Sequence, residues 1–180
     1  MLLFKTSCLY YLLFFFAILF SSCEVKINTG KKENEHQKKP VRNKNKIRNG
    51  IKIQTTGGLR VEQAFLTYED DGSFLDEENV TTINKPVKLN LVIKGWKEKD
   101  GKVFMDAEQK ITTDDDKTLL HMKNMLAKEE SFNPEYAEFL NFRFNVTHLN
   151  KIYNYFVVEA RAWNKKFDQE VNASFKIHVE

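Results

Sequence analysis

Few residues of this 180-residue chain combine a reactive type with a reactive spacing. Cys8 and Cys23 are its two thiols, and His36, His121, His148 and His178 its four imidazoles. No two of these histidines stand at a helical or strand spacing that would share one metal ion. Acidic clusters occur at 68–72 (YEDDG), 75–79 (LDEEN) and 112–117 (TTDDDK), but none has the alternating Asp/Asn ligands, central Gly and terminal Glu of a calcium loop. Carboxylates placed between strands are expected to solvate turns. Ser73, Ser131 and Ser174 lack a G-x-S-x-G context, and no glycine-rich phosphate loop is present. The chain therefore reads as no enzyme: no catalytic residue, metal or cofactor is expected.

Cys23 is the exception, because of what precedes it. Lys5 and the amino terminus form a short positive region, positions 8–20 are apolar, and small Ser21 and Ser22 follow. This is the layout of an export signal, and the apolar run is short against the roughly 20 residues of a bilayer span. Cleavage between Ser22 and Cys23 would discard Cys8 and leave one thiol at the new amino terminus, so no disulfide forms within the mature chain.

The run LFSSC (19–23) resembles the lipobox of bacterial lipoprotein precursors, of a relaxed, Bacteroidetes-like kind. Cys23 matches the position that receives lipid, and Ser21 and Ser22 match the two small positions. Phe20 departs from the Leu common in that family, with Leu19 one place early. The resemblance implies a diacylglyceryl thioether on Cys23, an acylated new amino terminus and a lipid anchor in the cell envelope, the outer membrane being favoured. The alternative is ordinary signal cleavage that leaves a free thiol. Two or three acyl chains hold durably, since each buried CH₂ contributes about 0.8 kcal/mol. In a bacterial protein the sequons at Asn79, Asn145 and Asn172 are products of an Asn-rich composition; in a secreted eukaryotic one they would suggest glycans.

Residues 24–50 carry nine Lys/Arg against three Glu and almost no large apolar side chains. Such a segment buries too little surface to offset its ordering entropy, so 23–50 reads as the lipidated cysteine and a flexible basic tether. The lysines either lie along anionic headgroups or simply keep a spacer solvated. The formal charge of +3 belongs to this tether; residues 51–180 hold 18 Lys/Arg against 22 Asp/Glu. That distribution argues against a nucleic-acid partner.

From Ile51 the apolar pattern takes a period of two. Val87, Leu89, Leu91 and Ile93 alternate with polar residues, as do Leu140, Phe142, Phe144 and Val146, and then Val171, Ala173, Phe175, Ile177 and Val179. With 51–55, 59–68, 103–111 and 153–163 this predicts seven strands. Asp100-Gly101 predicts a hairpin between the third and fourth, with Trp96 opposite Met105 and a bulge at Gly95. The whole predicts an all-β, antiparallel seven-strand sandwich over 51–180, which resembles the immunoglobulin-like sandwich in architecture alone.

One segment breaks the pattern. Leu119, Met122, Met125 and Leu126 have helical spacing, and Asn133-Pro134 reads as the cap and first residue of a second short helix, PEYAEFL. This connection either caps one open end of the sandwich or forms a recognition surface through Leu119, Met122, Met125, Leu126 and Phe132. The expected function is accordingly a membrane-anchored envelope lipoprotein with a protein-binding or structural module, partnered by another envelope protein. Alternatives are a scaffold component of an envelope-spanning secretion machine, a toxin-neutralising lipoprotein, or an enzyme or small-ligand binder whose site forms only in three dimensions.

Overall fold

The computed structural model describes residues 47–149 and 151–180. The leader over 1–22, Ser22, Cys23, His36 and the tether up to residue 46 lie outside the described residues. Beyond them, period-two segments become strands that bury one face: β1 (Lys52–Thr55), β2 (Arg60–Tyr68), β4 (Val87–Lys94), β5 (Met105–Thr113), β7 (Phe139–Phe144), β8 (Phe156–Asn164) and β9 (Glu170–Val179), with β3 (Val80–Thr81) and β6 (Thr118–Met122) between them. In β4 every second residue, from Val87 to Ile93, is buried, and β9 shows the same alternation. All seven predicted strands are present, and β3 and β6 bring the number among the described residues to nine.

The strands form two sheets. One has the order β1-β9-β8-β5-β6, with β3 pairing in parallel to the far end of β9; the other is β2-β4-β7. Their inner faces share one core, in which Leu66, Leu89, Leu91, Leu140 and Phe142 of the small sheet meet Met105, Val158, Phe175 and Ile177 of the large one. The architecture is an all-β, antiparallel sandwich, as the alternation implies.

Four expectations need correction. The Asp100-Gly101 turn forms, with both residues at positive φ (55° and 69°) and Lys99 and Lys102 exchanging backbone hydrogen bonds. It does not join paired strands, because β4 and β5 belong to different sheets, and Met105 faces Asn164 rather than Trp96. Gly95 marks the crossing instead of a bulge. At φ 93° it sits so close to Gly58 that a Cβ would lie 2.8 Å from the Gly58 carbonyl oxygen, and the chain then carries Trp96 into the core.

The helix expected around 119–126 is replaced by β6. Leu120 and Met122 pair with Ile111 and Gln109 of β5, so an apolar spacing that fits a helix also fits a strand needed beside β5. Asn124, at φ 53°, then turns the chain. The second helix exists only as the single turn α1 (Pro134–Ala137) with Asn133 at its cap, and Phe139 and Leu140 open β7 instead.

The fourth correction concerns the boundary at Ile51. Asn49 is 1% exposed and belongs to the folded unit. Leu66 N–H donates to its Oδ1 (3.1 Å), its Nδ2 donates to the carbonyls of Leu75 (3.3 Å) and Asp76 (2.7 Å), and Asn79 Nδ2 donates to the Asn49 carbonyl (2.8 Å). Ile47 lies beside Ala64 of β2. A polar composition hides these contacts, since a buried asparagine with every group paired looks like any tether asparagine.

Glu77 completes this clamp. It accepts from Asn49 N–H (2.8 Å) and Arg48 Nε (3.0 Å), and these bonds, the backbone one foremost, hold its carboxyl below the usual range. Because the folded-state value is depressed, the associated stability is present above the unfolded glutamate range (about 4.3) and is lost as pH falls from there through the lower folded-state value. Urea unfolding is expected to show a plateau near neutrality and a decline below about pH 5. Glu77→Gln is expected to lower the plateau and flatten that decline; an unchanged acid limb in the variant would remove Glu77 from the account.

Candidate functional site

Two concavities stand out among the described residues. The first is an apolar cleft of about 310 Å³ at the end of the sandwich where β5 and β7 finish and β8 begins. Ile111, Phe144 and Phe156 form its floor: Phe144 is the last inward residue of β7, Phe156 the first of β8, and Ile111 stands one inward position before Thr113 at the end of β5. Tyr153 meets Phe156 in a tilted contact at 5.3 Å between ring centroids, and Phe156 in turn lies 6.2 Å from Phe144. Leu119 and Leu120 make one wall; Val146 and Leu149 of the β7–β8 connection make the other.

The register of β6 explains why an apolar side chain stands at the mouth. Leu120 faces Ile111 and Thr118 faces Thr112, so Leu119 is the extra residue of a bulge and has no partner in β5. It is 46% exposed, and Ile152, next to cleft-lining Tyr153, is 94% exposed. Burying an aliphatic side chain of this size contributes about 1.5–3 kcal/mol. One polar atom in the wall is also unmatched: Asn145 Oδ1 is buried with no hydrogen-bond partner. Such an atom costs about 1–3 kcal/mol until a donor arrives.

The acidic run at 114–116 braces this mouth as well as solvating a turn. Asp114 accepts from the backbone N–H (3.0 Å) and Nδ2 of Asn154, and Asp115 pairs with Lys151 (2.8 Å). The β5–β6 turn thereby holds the 151–154 segment against the sheet. Lys151, whose pKa is raised chiefly by that Asp115 hydrogen bond, also lies 4.8 Å from the Tyr153 ring.

The five residues expected as a recognition surface are split between the two ends of the molecule. Leu119 lies at the cleft, and Met122 is half-buried at the end of β6. Met125 packs against the core, with its N–H donating to the Ala107 carbonyl. Leu126 (4% exposed) and Phe132 (6%) are core residues that plug the opposite end. Leu126 N–H donates to Asp106 Oδ1, and Phe132 exchanges backbone bonds with Val103. Capping therefore describes the second half of the segment, and exposure the first. Ile152 was not singled out by the pattern; its signal is an aliphatic between Lys151 and Tyr153 in the mostly polar run HLNKIYN.

The second concavity is a hollow of about 520 Å³ on the outer face of the large sheet, lined by Lys52, Gln54, Lys110, His121 and Arg161 among others. Its charges, Lys52 apart, are matched internally. Arg161 bonds Glu108 (3.2 Å) and Glu170, Lys110 pairs with Glu159 (3.4 Å), and His121 lies 3.5 Å from Glu108. The Arg161 guanidinium holds the Glu170 carboxyl below its usual range and is itself raised by that hydrogen bond. His178 points outward, as its alternation implies, with Nδ1 2.7 Å from the Asn154 carbonyl oxygen.

No family model and no curated protein matches this chain. Among solved structures, the crystal structure of the C-terminal domain of Wzt is similar, with 17% sequence identity over 74% of this chain and 80% of that one, at a TM-score of 0.46.

Proposed function

We propose that this protein is a lipid-anchored bacterial envelope protein whose β-sandwich binds another envelope protein and performs no chemistry of its own. The anchor half of the proposal rests on the leader and the Ser21-Ser22-Cys23 pattern. The binding half rests on one observation: an apolar cleft open to solvent, with Leu119 exposed in its lining and Ile152 exposed next in sequence to its Tyr153. Contiguous exposed apolar surface of this kind is costly to keep unless something covers it.

The hollow over the large sheet favours a second reading, a binder of small polar ligands. Of its cations Arg161, Lys110 and His121 already lie against carboxylates and, among the described residues, Lys52 alone does not, so a ligand would have to displace ion pairs to gain more than one contact of its own. The cleft asks no such exchange, and protein binding is the preferred reading.

One experiment addresses both halves. A photo-crosslinking amino acid at position 119 or 152 of the full chain is expected to trap a discrete partner in the membrane fraction, and at Lys176 to trap none. The same variants carrying Cys23→Ala are expected to leave the membrane fraction and lose the adduct. Normal anchoring without Cys23 would sink the lipoprotein reading. Equal adducts from all three positions would sink the cleft.

A further inference from the structure

Resting on the protein-binding reading, we propose that the partner presents an extended segment that adds a strand to the outer edge of β6, with acidic residues at both ends of that segment. The large sheet ends at β6, and no described residue pairs with its far edge. An open edge offers a row of backbone N–H and C=O groups, and the ligand that satisfies such a row is another extended backbone.

The charges around the edge select which backbone. β6 itself, Thr-Leu-Leu-His-Met, has no carboxylate or ammonium group, and exposed Lys117 and Lys123 stand immediately before and after it. Neither lysine forms an ion pair among the described residues. Of the three aspartates before Lys117, Asp114 and Asp115 are held by Asn154 and Lys151, and exposed Asp116 leaves Lys123 the stronger cation of the two. Six residues of strand separate them by about 20 Å, the reach of a five-residue strand with one acid at each end.

A second copy of this chain is the wrong partner for the same reason. In an antiparallel pair centred on Leu120, Lys117 of one copy would face Lys123 of the other, and like charges directly opposite are destabilising. The lysines thus block self-pairing while attracting an acid-ended segment. On the inner face, Leu120 and Met122 are half-buried and lead into the cleft, where an incoming apolar side chain covers Leu119. A donor on the same segment would satisfy Asn145 Oδ1.

The test uses the full chain in detergent and two synthetic peptides with the same alternating Val/Thr core, one with Asp at both ends and one with Lys. The Asp-ended peptide is expected to bind about tenfold tighter, from two ion pairs, and to lose this margin in high salt. It should also slow amide hydrogen exchange over 118–122. In the Lys117→Glu/Lys123→Glu variant, checked for unchanged circular dichroism, the preference should invert. Indifference to the terminal charges, protection elsewhere than 118–122, or concentration-dependent protection of 118–122 without peptide would each overturn the proposal. If neither peptide protects β6 while position 119 still crosslinks a partner, strand addition fails and protein binding stands; if the crosslink fails too, the reading beneath it has failed.

Discussion

Gln169→Ala is expected to destabilise the sandwich by about 4 kcal/mol, with a fall in Tm of about 15 °C. Gln169 is 2% exposed and ties three connections together at the end of the molecule opposite the cleft. Its Oε1 accepts from Lys97 N–H (2.6 Å) and Asn164 Nδ2 (3.3 Å), and its Nε2 donates to the carbonyls of Gly57 (3.0 Å) and Gly95 (2.8 Å). Alanine leaves three backbone groups with no partner in the same place, at about 1–3 kcal/mol each. The two glycines leave no room for rearrangement. Gly57 has φ 64°, and a Cβ on it would lie 2.0 Å from the Asp168 carbonyl oxygen. Gln169→Glu keeps the shape but turns a carboxylate toward two carbonyls, so it should be no better than alanine at neutral pH. Urea titration decides the matter: a loss below about 1 kcal/mol would mean that water substitutes for the amide.

Asn49→Ala is the second large effect, at about 3 kcal/mol. It removes the acceptor for Leu66 N–H and the donor for the carbonyls of Leu75 and Asp76. It also places alanine at φ 59°, a conformation that costs a residue with Cβ about 1–2 kcal/mol and that asparagine tolerates. Asn49→Gly separates the two contributions, since glycine removes the backbone cost and keeps the hydrogen-bond loss. Glycine is therefore expected to be the milder variant by about 1 kcal/mol. Asn49 and Gln169 share no partner and lie at opposite ends, so their effects should add to about 7 kcal/mol, most of the stability of an ordinary domain. A double variant that remains folded would show that at least one cluster is less costly to break than its bonds imply.

Neither residue could be found from periodicity. The strands could, because β4, β7 and β9 each bury alternate residues and place polar ones between them. What alternation does not encode is which sheet a strand joins. Asp100-Gly101 is a sound turn signal, but the choice between pairing β4 with β5 and sending them to opposite sheets is made at Gly95 and Trp96, by contacts with Gly58 and the core. β3 has two residues and thus no period. β6 was obscured for a different reason: Leu119, Met122 and Leu126 fit a helix, and the pairing available along β5 outweighs that local preference. The site was half legible. Leu119 stood out as apolar in an irregular segment, but its exposure follows from a bulge, and the far wall comes from Val146, Leu149 and Tyr153, joined to it by tertiary packing.

The clamp at Asn49 also defines the path of mechanical load. A pull along the chain from before Ile47 first meets the contacts of Ile47 and Arg48 with Ala64 of β2 and then Asn49, which is fastened to β2 and to the 75–79 loop. Behind it stands β1, whose ladder to β9 runs over only four residues. A protein held at one edge by its own chain and at β6 by a partner is stretched across the large sheet, transverse to its strands. In that geometry the Arg48 N–H bond to the Ala64 carbonyl and the side-chain amide of Asn49 are the first bolts to carry the strain. Their release would lengthen the leash by residues 47–50 before β1 leaves β9, so the first step of forced extension would be short and leave the sandwich intact.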